Sequence, residues 1–211
     1  MTQGLLRLVQ WLSPAFPTGG FAYSHGLEWV IDAGEVTSAD TLKDWLTQIL
    51  QGGAGRQDAI LLAHALDSGA DLDALCDLAR ALAPSAERLS ETCEQGTAFA
   101  RATTALLGLD LAARPLPVAV GQAARHLHLP KSDVIALYLH AFTANLVSAA
   151  VRFVPLGQTE GQQVLQSLHP VITNLATECA TAPLADIATN TLRADLAAMR
   201  HETLDVRIFK T

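Results

Sequence analysis

The histidines are the residues of this chain whose chemistry best suits metal binding. Seven are present, and His126 and His128 form the closest pair. Residues two apart point in different directions on a regular helix, although a fraying helix end could bring them together. His201 and Glu202 could touch a metal, but adjacent residues rarely close a site alone. No HExxH motif occurs, so we expect capping, surface or interface histidines and no metal ligand.

Signals for nucleotide binding and for nucleophilic catalysis are weak. The segment 52–56, GGAGR, lacks the Gly-Lys-Ser/Thr ending that holds phosphate and magnesium, and it follows a predicted helix. Ser24 and His25 are neighbours, so they point apart on a helix, and no GxSxG elbow is present. No acid/base pair stands out, although carboxylates distant in sequence could still converge. We therefore expect no catalytic residues and no enzyme activity.

The elements that position these residues are predicted to be helices. Apolar residues make up 50% of the chain and aromatic residues 5%, which favours helices packed on small side chains. The clearest helical stripe, which follows an N-cap at Thr37 or Ser38, is Leu42, Trp45, Leu46, Ile49 and Leu50. The sequence therefore predicts an all-α fold, a single compact domain over residues 1–211 with about ten helices and no sheet.

The remaining helices are predicted where apolar periodicity lies between Gly and Pro breaks. They cover roughly residues 5–12, 27–31, 57–66, 72–82, 85–107, 118–127, 132–154 and 186–200, with two short helices before the last. A shaped loop is predicted over 13–20 and a linker over 114–117. Gly96 and Ala100 put small residues on one face of helix 85–107, which lets another helix approach closely.

The segment 134–154 is nearly apolar on all sides and long enough to cross a bilayer. His140 and Asn145 lie inside it and would be costly if they faced lipid, whereas Arg152 near its end could reach a membrane interface. A helix buried among neighbouring helices explains this pattern better than a membrane span.

Charge and cysteine content restrict the partners and the compartment. Charged residues make up 17% of the chain, below the usual quarter or so, which indicates either buried interfaces or simply an Ala-rich composition. A net charge of −7 argues against nonspecific nucleic-acid binding. Three widely spaced cysteines without CxxC fit a reducing compartment. Arg7 and Gln10 interrupt the N-terminal apolar run, so no signal peptide is predicted and the expected location is cytoplasmic.

Residues 5–28, LLRLVQWLSPAFPTGGFAYSHGLE, resemble the N-terminal signature of the urease accessory protein UreF family. A Leu-rich helix is followed there by Ser-Pro-x-Phe-Pro-x-Gly-x-Phe and Tyr-Ser-x-Gly-Leu-Glu. Residues 87–96 and 154–162 are more weakly similar to family segments, and MRHE at 199–202 with RIFKT at 207–211 resembles the closing block. The resemblance covers the whole chain. Ala22, Ile208 and Thr211 are conservative departures from it.

The resemblance implies a dimeric, α-helical scaffold without catalytic activity. Such a protein would bind a UreD-type (UreH-type) accessory protein and a UreG-type GTPase on apo-urease, and would support assembly of the nickel metallocentre. Nickel would be the cargo of that complex, and no cofactor is expected on this chain. The alternative is a small all-α metal-binding protein or enzyme that uses His126, His128 or His201.

The N-terminal loop is the first of two expected partner-binding regions. Its backbone is predicted to be shaped by prolines and glycines together with one aromatic residue; these structural positions are Pro14, Phe16, Pro17, Gly19 and Gly20. The loop is expected to display Phe16, Phe21, Tyr23 and His25, although the two phenylalanines could equally anchor it to the core. Tyr23 and His25 are the expected partner contacts.

The C-terminal segment is the second expected partner-binding region. Its assigned residues are Arg200, His201, Glu202, Arg207, Ile208 and Phe209. An aromatic residue near a chain end favours burial, so this segment either packs on its own domain or becomes ordered against a partner. The resemblance favours the partner.

Overall fold

A computed structural model describes residues 2–188 and 190–211, and over these residues the fold consists of eleven α-helices and no strand. The helices are α1 Gln3–Trp11, α2 Leu27–Asp32, α3 Ala39–Gly52, α4 Ala54–Ala65, α5 Leu72–Ala81, α6 Ala86–Leu107, α7 Leu116–Ala124, α8 Lys131–Ala150, α9 Gln158–Ser167, α10 His169–Cys179 and α11 Leu192–His201. Short 3-10 turns lie at Gly20–Ala22, Arg125–Leu127 and Leu184–Asp186. The predicted all-α fold is confirmed.

Helix α8 lies in the core and packs against α2, α3, α4, α9 and α10. Within the described residues it is the one helix whose length and composition would suit a membrane span, yet Val134, Leu139 and Leu146 are fully buried inside the protein. Asn145 donates hydrogen bonds to the carbonyls of Gly20 (2.8 Å) and Tyr23 (3.3 Å). Asn145, a polar residue inside this apolar helix, therefore holds the N-terminal loop in place. These bonds are consistent with a helix that lies in the protein core.

Helix α3 begins as its sequence predicts. The Ser38 hydroxyl accepts a hydrogen bond from the Thr41 amide (3.3 Å), and the Thr41 hydroxyl accepts one from the Ser38 amide (3.0 Å). This reciprocal cap satisfies two amides that the first helical turn leaves unpaired. All five residues of the predicted apolar stripe are buried, so the stripe forms the inner face of the helix.

Gly96 allows α6 and the start of α7 to pack closely, as its small size predicts. A Cβ atom at this position would lie 1.8 Å from the carbonyl oxygen of Arg114 and 2.8 Å from the amide nitrogen of Leu116. Both neighbours are backbone atoms and cannot move aside as a flexible side chain could. The contact between α6 and α7 therefore requires glycine here.

Several predicted boundaries are wrong. The linker predicted over 114–117 ends at Pro115, because Pro117 is tolerated in the first turn of α7. The helix predicted over 132–154 begins one residue earlier, without a Ser132 cap, and ends at Ala150 in a turn. The helix predicted over 186–200 begins only at Leu192, because the Asn190 amide bonds to the Gly52 carbonyl (2.9 Å). Thr189, within that range, lies outside the described residues.

Candidate functional site

The C-terminal tail (residues 204–211) lies against the N-terminal loop, which covers residues 12–26 between α1 and α2. The Lys210 amide donates to the Ala22 carbonyl (2.7 Å), and the Ser24 amide donates to the Thr211 carbonyl (2.9 Å). The two expected partner-binding regions therefore form one continuous site. In this structure the tail packs on its own domain, the first of the two possibilities that the sequence left open.

Glu28 is the main acceptor for the tail. Its Oε1 accepts from the Ile208 amide (2.9 Å) and its Oε2 from the Phe209 amide (3.0 Å). Burial alone would raise the pKa of Glu28, but hydrogen bonds from His201 and from these two amides outweigh it and lower the pKa below its ordinary value. The carboxylate is therefore ionised and attracts the amides of the tail.

His201 lies between two carboxylates and is fully buried. Its Nδ1 is 2.7 Å from Glu87 Oε2, and its Nε2 is 3.0 Å from Glu28 Oε2. The Arg207 guanidinium donates to the other oxygen of Glu87 (2.6 Å). The His201 ring on α11 therefore connects Glu28 of α2 with Glu87 of α6, and both carboxylates also contact the tail.

A second buried cluster surrounds Glu91 on α6. His25 Nε2 lies 2.7 Å from Glu91 Oε1 and 3.1 Å from Arg88 Nη1, Arg88 forms an ion pair with the same carboxylate, and the Thr211 hydroxyl donates to Glu91 Oε2 (3.0 Å). Burial lowers the pKa of His25, and Arg88 lowers it further, which favours the neutral ring. Burial opposes ionisation of Glu91, but Arg88 and His25 outweigh it and hold its pKa at about 2.

A cavity of about 120 Å³ lies beside this cluster, between the N-terminal loop, α6 and α8. His25, Arg88 and Glu91 contribute polar groups to its lining, while Phe99 and Phe142 contribute apolar surface. The same cavity reaches Asp58. This interior combines ionised and apolar groups, so the charged groups are little screened by water.

Asp58 is a buried carboxyl that accepts a hydrogen bond from the Tyr138 hydroxyl (2.7 Å). Burial raises its pKa to about 6, while Arg88 and the Tyr138 hydrogen bond act in the opposite direction. The folded protein therefore binds a proton at Asp58 more tightly than the unfolded chain does. Its favourable contribution to stability is complete below pH 4 and is lost as the pH rises through about 6.

We expect Asp58→Asn to remove this pH dependence. The free energy of unfolding of the natural chain should fall, relative to the variant, by about 2 kcal/mol between pH 4 and pH 6, because ionising Asp58 in the interior is costly. Urea denaturation of both proteins across this pH range measures the difference. Parallel stability curves would contradict the assignment.

The structure buries most of the loop residues that the sequence predicts to be displayed. Tyr23 is 3% exposed and donates to Glu94 (2.6 Å), and His25 is buried against Glu91. Phe16 is buried with its ring 5.8 Å from that of Phe99. Only Phe21, of the four, is exposed. The prediction that Tyr23 and His25 are displayed is wrong because carboxylates on α6 draw these polar side chains inward, whereas Phe16 follows the alternative of a core anchor and Phe21 is displayed.

The other loop positions have the structural character that the sequence predicts. Gly19 has a left-handed backbone with φ of 75°, which glycine adopts without strain. Gly20 begins a 3-10 turn, and its carbonyl accepts from Asn145. Pro14 and Pro17 are exposed on the outside of the loop. The loop is therefore a fixed support for the tail.

The predicted C-terminal site residues divide into buried and exposed groups. His201 and Phe209 are buried, and the Phe209 ring lies 5.5 Å from that of Phe153. Ile208 is 66% exposed, and the Arg200 guanidinium lies 4.8 Å above the Trp29 ring. The exposed residues of this group can therefore contact a partner directly. His201 and Phe209 are buried, so they can affect partner binding only by fixing the shape of the tail.

Glu202 and Arg207 lie at the surface and each contacts the start of α6. Glu202 Oε1 accepts from the amides of Ala86 (2.8 Å) and Glu87 (3.3 Å). These are unpaired amides of a helix N-terminus, where a carboxylate is favourable. Arg207, which pairs with Glu87, retains exposed surface. Both residues therefore support the tail, and Arg207 also remains accessible.

Helix α11 carries an exposed apolar stripe that the sequence analysis did not identify. Leu192, Leu196 and Met199 lie on one face and are 70%, 40% and 45% exposed. Val206 and Ile208 of the tail are exposed as well. Several large apolar side chains exposed on adjoining segments are typical of a protein-binding surface.

The histidines considered as metal ligands are not assembled into a site. His126 and His128 are exposed around the turn that follows α7, whereas His201 is buried between its two carboxylates. Throughout residues 2–188 and 190–211, no group of three or more His, Cys, Asp or Glu side chains is placed to hold a metal ion.

Sequence reasoning missed the acidic residues that organise the site. Glu28 is the last residue of the Tyr-Ser-x-Gly-Leu-Glu pattern, and Glu87 and Glu91 lie four residues apart in the weaker block on α6. The four-residue spacing on a long helix placed both glutamates on one face. That spacing was a usable signal, but nothing local in the sequence indicated that their partners would be the tail and His201.

Comparison with known proteins decides the family. The sequence model of the UreF family matches residues 36–169, more than half of the chain. The chain belongs to the UreF family of urease accessory proteins. It is 67% identical over 211 residues to the urease accessory protein UreF of Cereibacter sphaeroides strain KD131, and 55% identical over 211 residues to that of Dinoroseobacter shibae; both alignments cover all of both chains. It is also 50% identical to the Roseobacter denitrificans UreF, over all of this chain and 95% of the relative.

Proposed function

We propose that this chain is a non-catalytic scaffold for urease maturation in the cytoplasm. As a homodimer, it binds a UreD-type (UreH-type) accessory protein and a UreG-type GTPase on apo-urease. Nickel is the cargo that this complex inserts into urease, and GTP hydrolysis is the task of the UreG-type partner. Family membership supports the accessory role.

The observation that carries the partner assignment is the exposed apolar surface of α11 and the tail. Leu196 and Met199 expose two-fifths or more of their surface on the same helix face, and Ile208 projects from the neighbouring segment. Buried apolar anchors supply most of the binding energy at protein interfaces, and arginine is enriched beside them. Arg200 and Arg207 lie in these same two segments.

The buried polar network supports this role because it fixes the shape of the surface. Glu28 and Glu87 hold the tail backbone and Arg207, and Glu91 holds Thr211. A surface that is ordered before binding loses less conformational entropy when the partner arrives. The buried charged side chains already bond to one another. Their role is therefore best explained as support for the docking surface.

The experiment is co-expression with UreD-type and UreG-type proteins, followed by affinity capture on a tag carried by this chain. The natural chain should retain both partners. The double variant Leu196→Asp/Met199→Asp should lose at least one of them, because two charges would be buried without partners. Leu106→Asp is the matched control, since Leu106 is 56% exposed at the distant end of α6.

Two results would reject the proposal. Capture of both partners by the double variant at the natural level would remove α11 from the interface. Stoichiometric nickel binding by the purified chain, lost on replacing His126 and His128, would instead support the alternative of a metal-binding protein. Circular dichroism of each variant checks that the helices remain intact.

A further inference from the structure

Two histidines that lie outside the candidate site are close together between α8 and α10. The ring centres of His140 and His169 are 5.5 Å apart, and the ring planes are inclined by 46°. His140 lies in the apolar middle of α8, and His169 is the first residue of α10. Neither residue lines the cavity beside Glu91, and neither contacts the tail. The scaffold role therefore does not explain this pair.

The backbone fixes the separation of the two rings. His140 follows Leu139 and His169 follows Leu168, and both leucines are fully buried. Pro170, the next residue after His169, restricts the backbone at the start of α10. Because α8 and α10 pack directly against each other, the two side chains extend from rigid, adjoining elements. A pair held in this way loses little conformational freedom when a ligand joins its members.

The ring nitrogens of this pair are available to a ligand. His169 is exposed and His140 is half-buried. Within the part of the chain that the structure describes, neither ring is hydrogen-bonded to another protein group, and the polar atoms that are enclosed without a partner do not include those of His140. The nitrogens of His140 therefore reach water. Imidazole nitrogens are common ligands of zinc and related metal ions in proteins.

The separation of the rings matches two ligands of one tetrahedral zinc ion. The lone pair of an imidazole nitrogen points away from the ring centre, so zinc at a Zn–N distance of about 2.1 Å lies about 3.2 Å from that centre. Two such rings at the tetrahedral angle have centres about 5.2 Å apart, close to the observed 5.5 Å. A right angle at the metal, as in square-planar nickel or copper sites, would bring the centres to about 4.5 Å. The spacing therefore favours zinc.

We propose that His140 and His169 form a zinc site in which water completes the coordination. Each ring supplies one nitrogen to the metal. Over the described residues, no third His, Cys, Asp or Glu side chain is placed to join them, so the site has two protein ligands. Two ligands hold zinc less firmly than the closed four-ligand sites on which some folds depend. The bound zinc is therefore exchangeable, and the site is independent of the proposed scaffold role and of its nickel cargo.

Calorimetric titration of the untagged full chain with zinc chloride tests the site, at about pH 7.5, above the usual pKa of imidazole. The natural chain should bind one zinc ion. His140→Gln and His169→Gln should each weaken binding about a hundredfold, because two ligands on one rigid support gain at least roughly that factor over one. The double variant should be little weaker than either single variant, since one imidazole alone does not chelate.

The matched control replaces the other close pair of histidines in the chain. His126→Gln/His128→Gln removes two exposed side chains at the turn after α7, and this variant should bind zinc as the natural chain does. X-ray absorption at the zinc edge should find two imidazole rings and oxygen ligands. Nickel should bind the His140–His169 pair more weakly than zinc, because the rings are too far apart for a right angle at the metal.

Several outcomes overturn the proposal. These are absence of zinc binding to the natural chain at about 0.1 mM metal, equal affinity in either single variant, loss of binding in the control, and nickel binding as tight as zinc binding. A sulfur ligand at about 2.3 Å would assign the metal to a cysteine such as Cys93, which is partly exposed. Circular dichroism checks that each variant folds, and if one does not, the ligands found in the natural chain still decide the question.

Discussion

Replacing Glu91 with glutamine is expected to lower the free energy of unfolding by about 3–5 kcal/mol at neutral pH, because breaking a buried ion pair leaves an unpaired charge in the interior. The carboxylate pairs with Arg88, lies 2.7 Å from His25 Nε2, and accepts a hydrogen bond from the Thr211 hydroxyl. Glutamine has the same shape but no charge, so buried Arg88 loses its counter-ion. Urea denaturation at pH 7 measures the loss.

The pH dependence of this effect has a definite sign. The folded pKa of Glu91, about 2, lies below the ordinary value of 4.5. Its contribution to stability is therefore complete above pH 4.5 and is lost as the pH falls towards 2. The stability gap between the natural chain and Glu91→Gln should close over that range. A gap that persists at pH 2 would mean that packing, rather than charge, is responsible.

A matched control lies one turn further along the same helix. Glu94 is also bonded to three groups, the Tyr23 hydroxyl, the Lys210 ammonium and the Ser90 hydroxyl, but its side chain is 51% exposed. Solvent weakens such interactions, so Glu94→Gln should cost no more than about 1 kcal/mol. Equal losses for the two variants would contradict the view that burial makes the Glu91 cluster important.

Asp58 provides a further test of the same cluster. Glu91 raises the pKa of Asp58, and Arg88 lowers it. In Glu91→Gln, Asp58 should ionise more readily and partly replace the lost counter-ion. The double variant with Asp58→Asn should therefore lose more stability than the two single variants together, since groups in one charge network are not additive.

The helices could be predicted from the sequence because their signals are local. In α3 the cap at Ser38 and the apolar stripe lie within one window of residues, and the structure reproduces both. At α11 the prediction was wrong because the start of the helix depends on a long-range bond from Asn190 to Gly52. Tertiary contacts of this kind override local propensity and leave no trace in the nearby sequence.

The candidate site was less predictable for a related reason. His201 and Glu28 are 173 positions apart in sequence, yet their side chains are in contact. Patterns in the sequence marked the N-terminal loop and the tail as important, but each was interpreted as a separate binding surface. The acidic residues that join them could be recognised only once α2, α6 and α11 were placed together.

Ile208 and Phe209 are adjacent in the sequence, and substitutions at these two positions should distinguish partner binding from folding. Phe209 is 5% exposed and packs on Phe153, while Ile208 is 66% exposed. Phe209→Ala should lower the free energy of unfolding by about 3 kcal/mol, as expected for a buried aromatic residue. Ile208→Ala should leave stability within about 0.5 kcal/mol of the natural value.

Capture of the UreD-type and UreG-type proteins should respond differently to the two changes. Ile208→Ala should weaken capture by about tenfold or more if its side chain anchors the interface, because a central apolar contact contributes well over 1 kcal/mol. Phe209→Ala should weaken capture as well, but together with the loss of stability and of hydrogen-exchange protection in the tail. If Ile208→Ala binds both partners at full strength, the exposed edge of the tail is not the docking element. If Phe209→Ala is as stable as the natural chain, the tail is not held on its own domain in solution, and its order must then come from a partner.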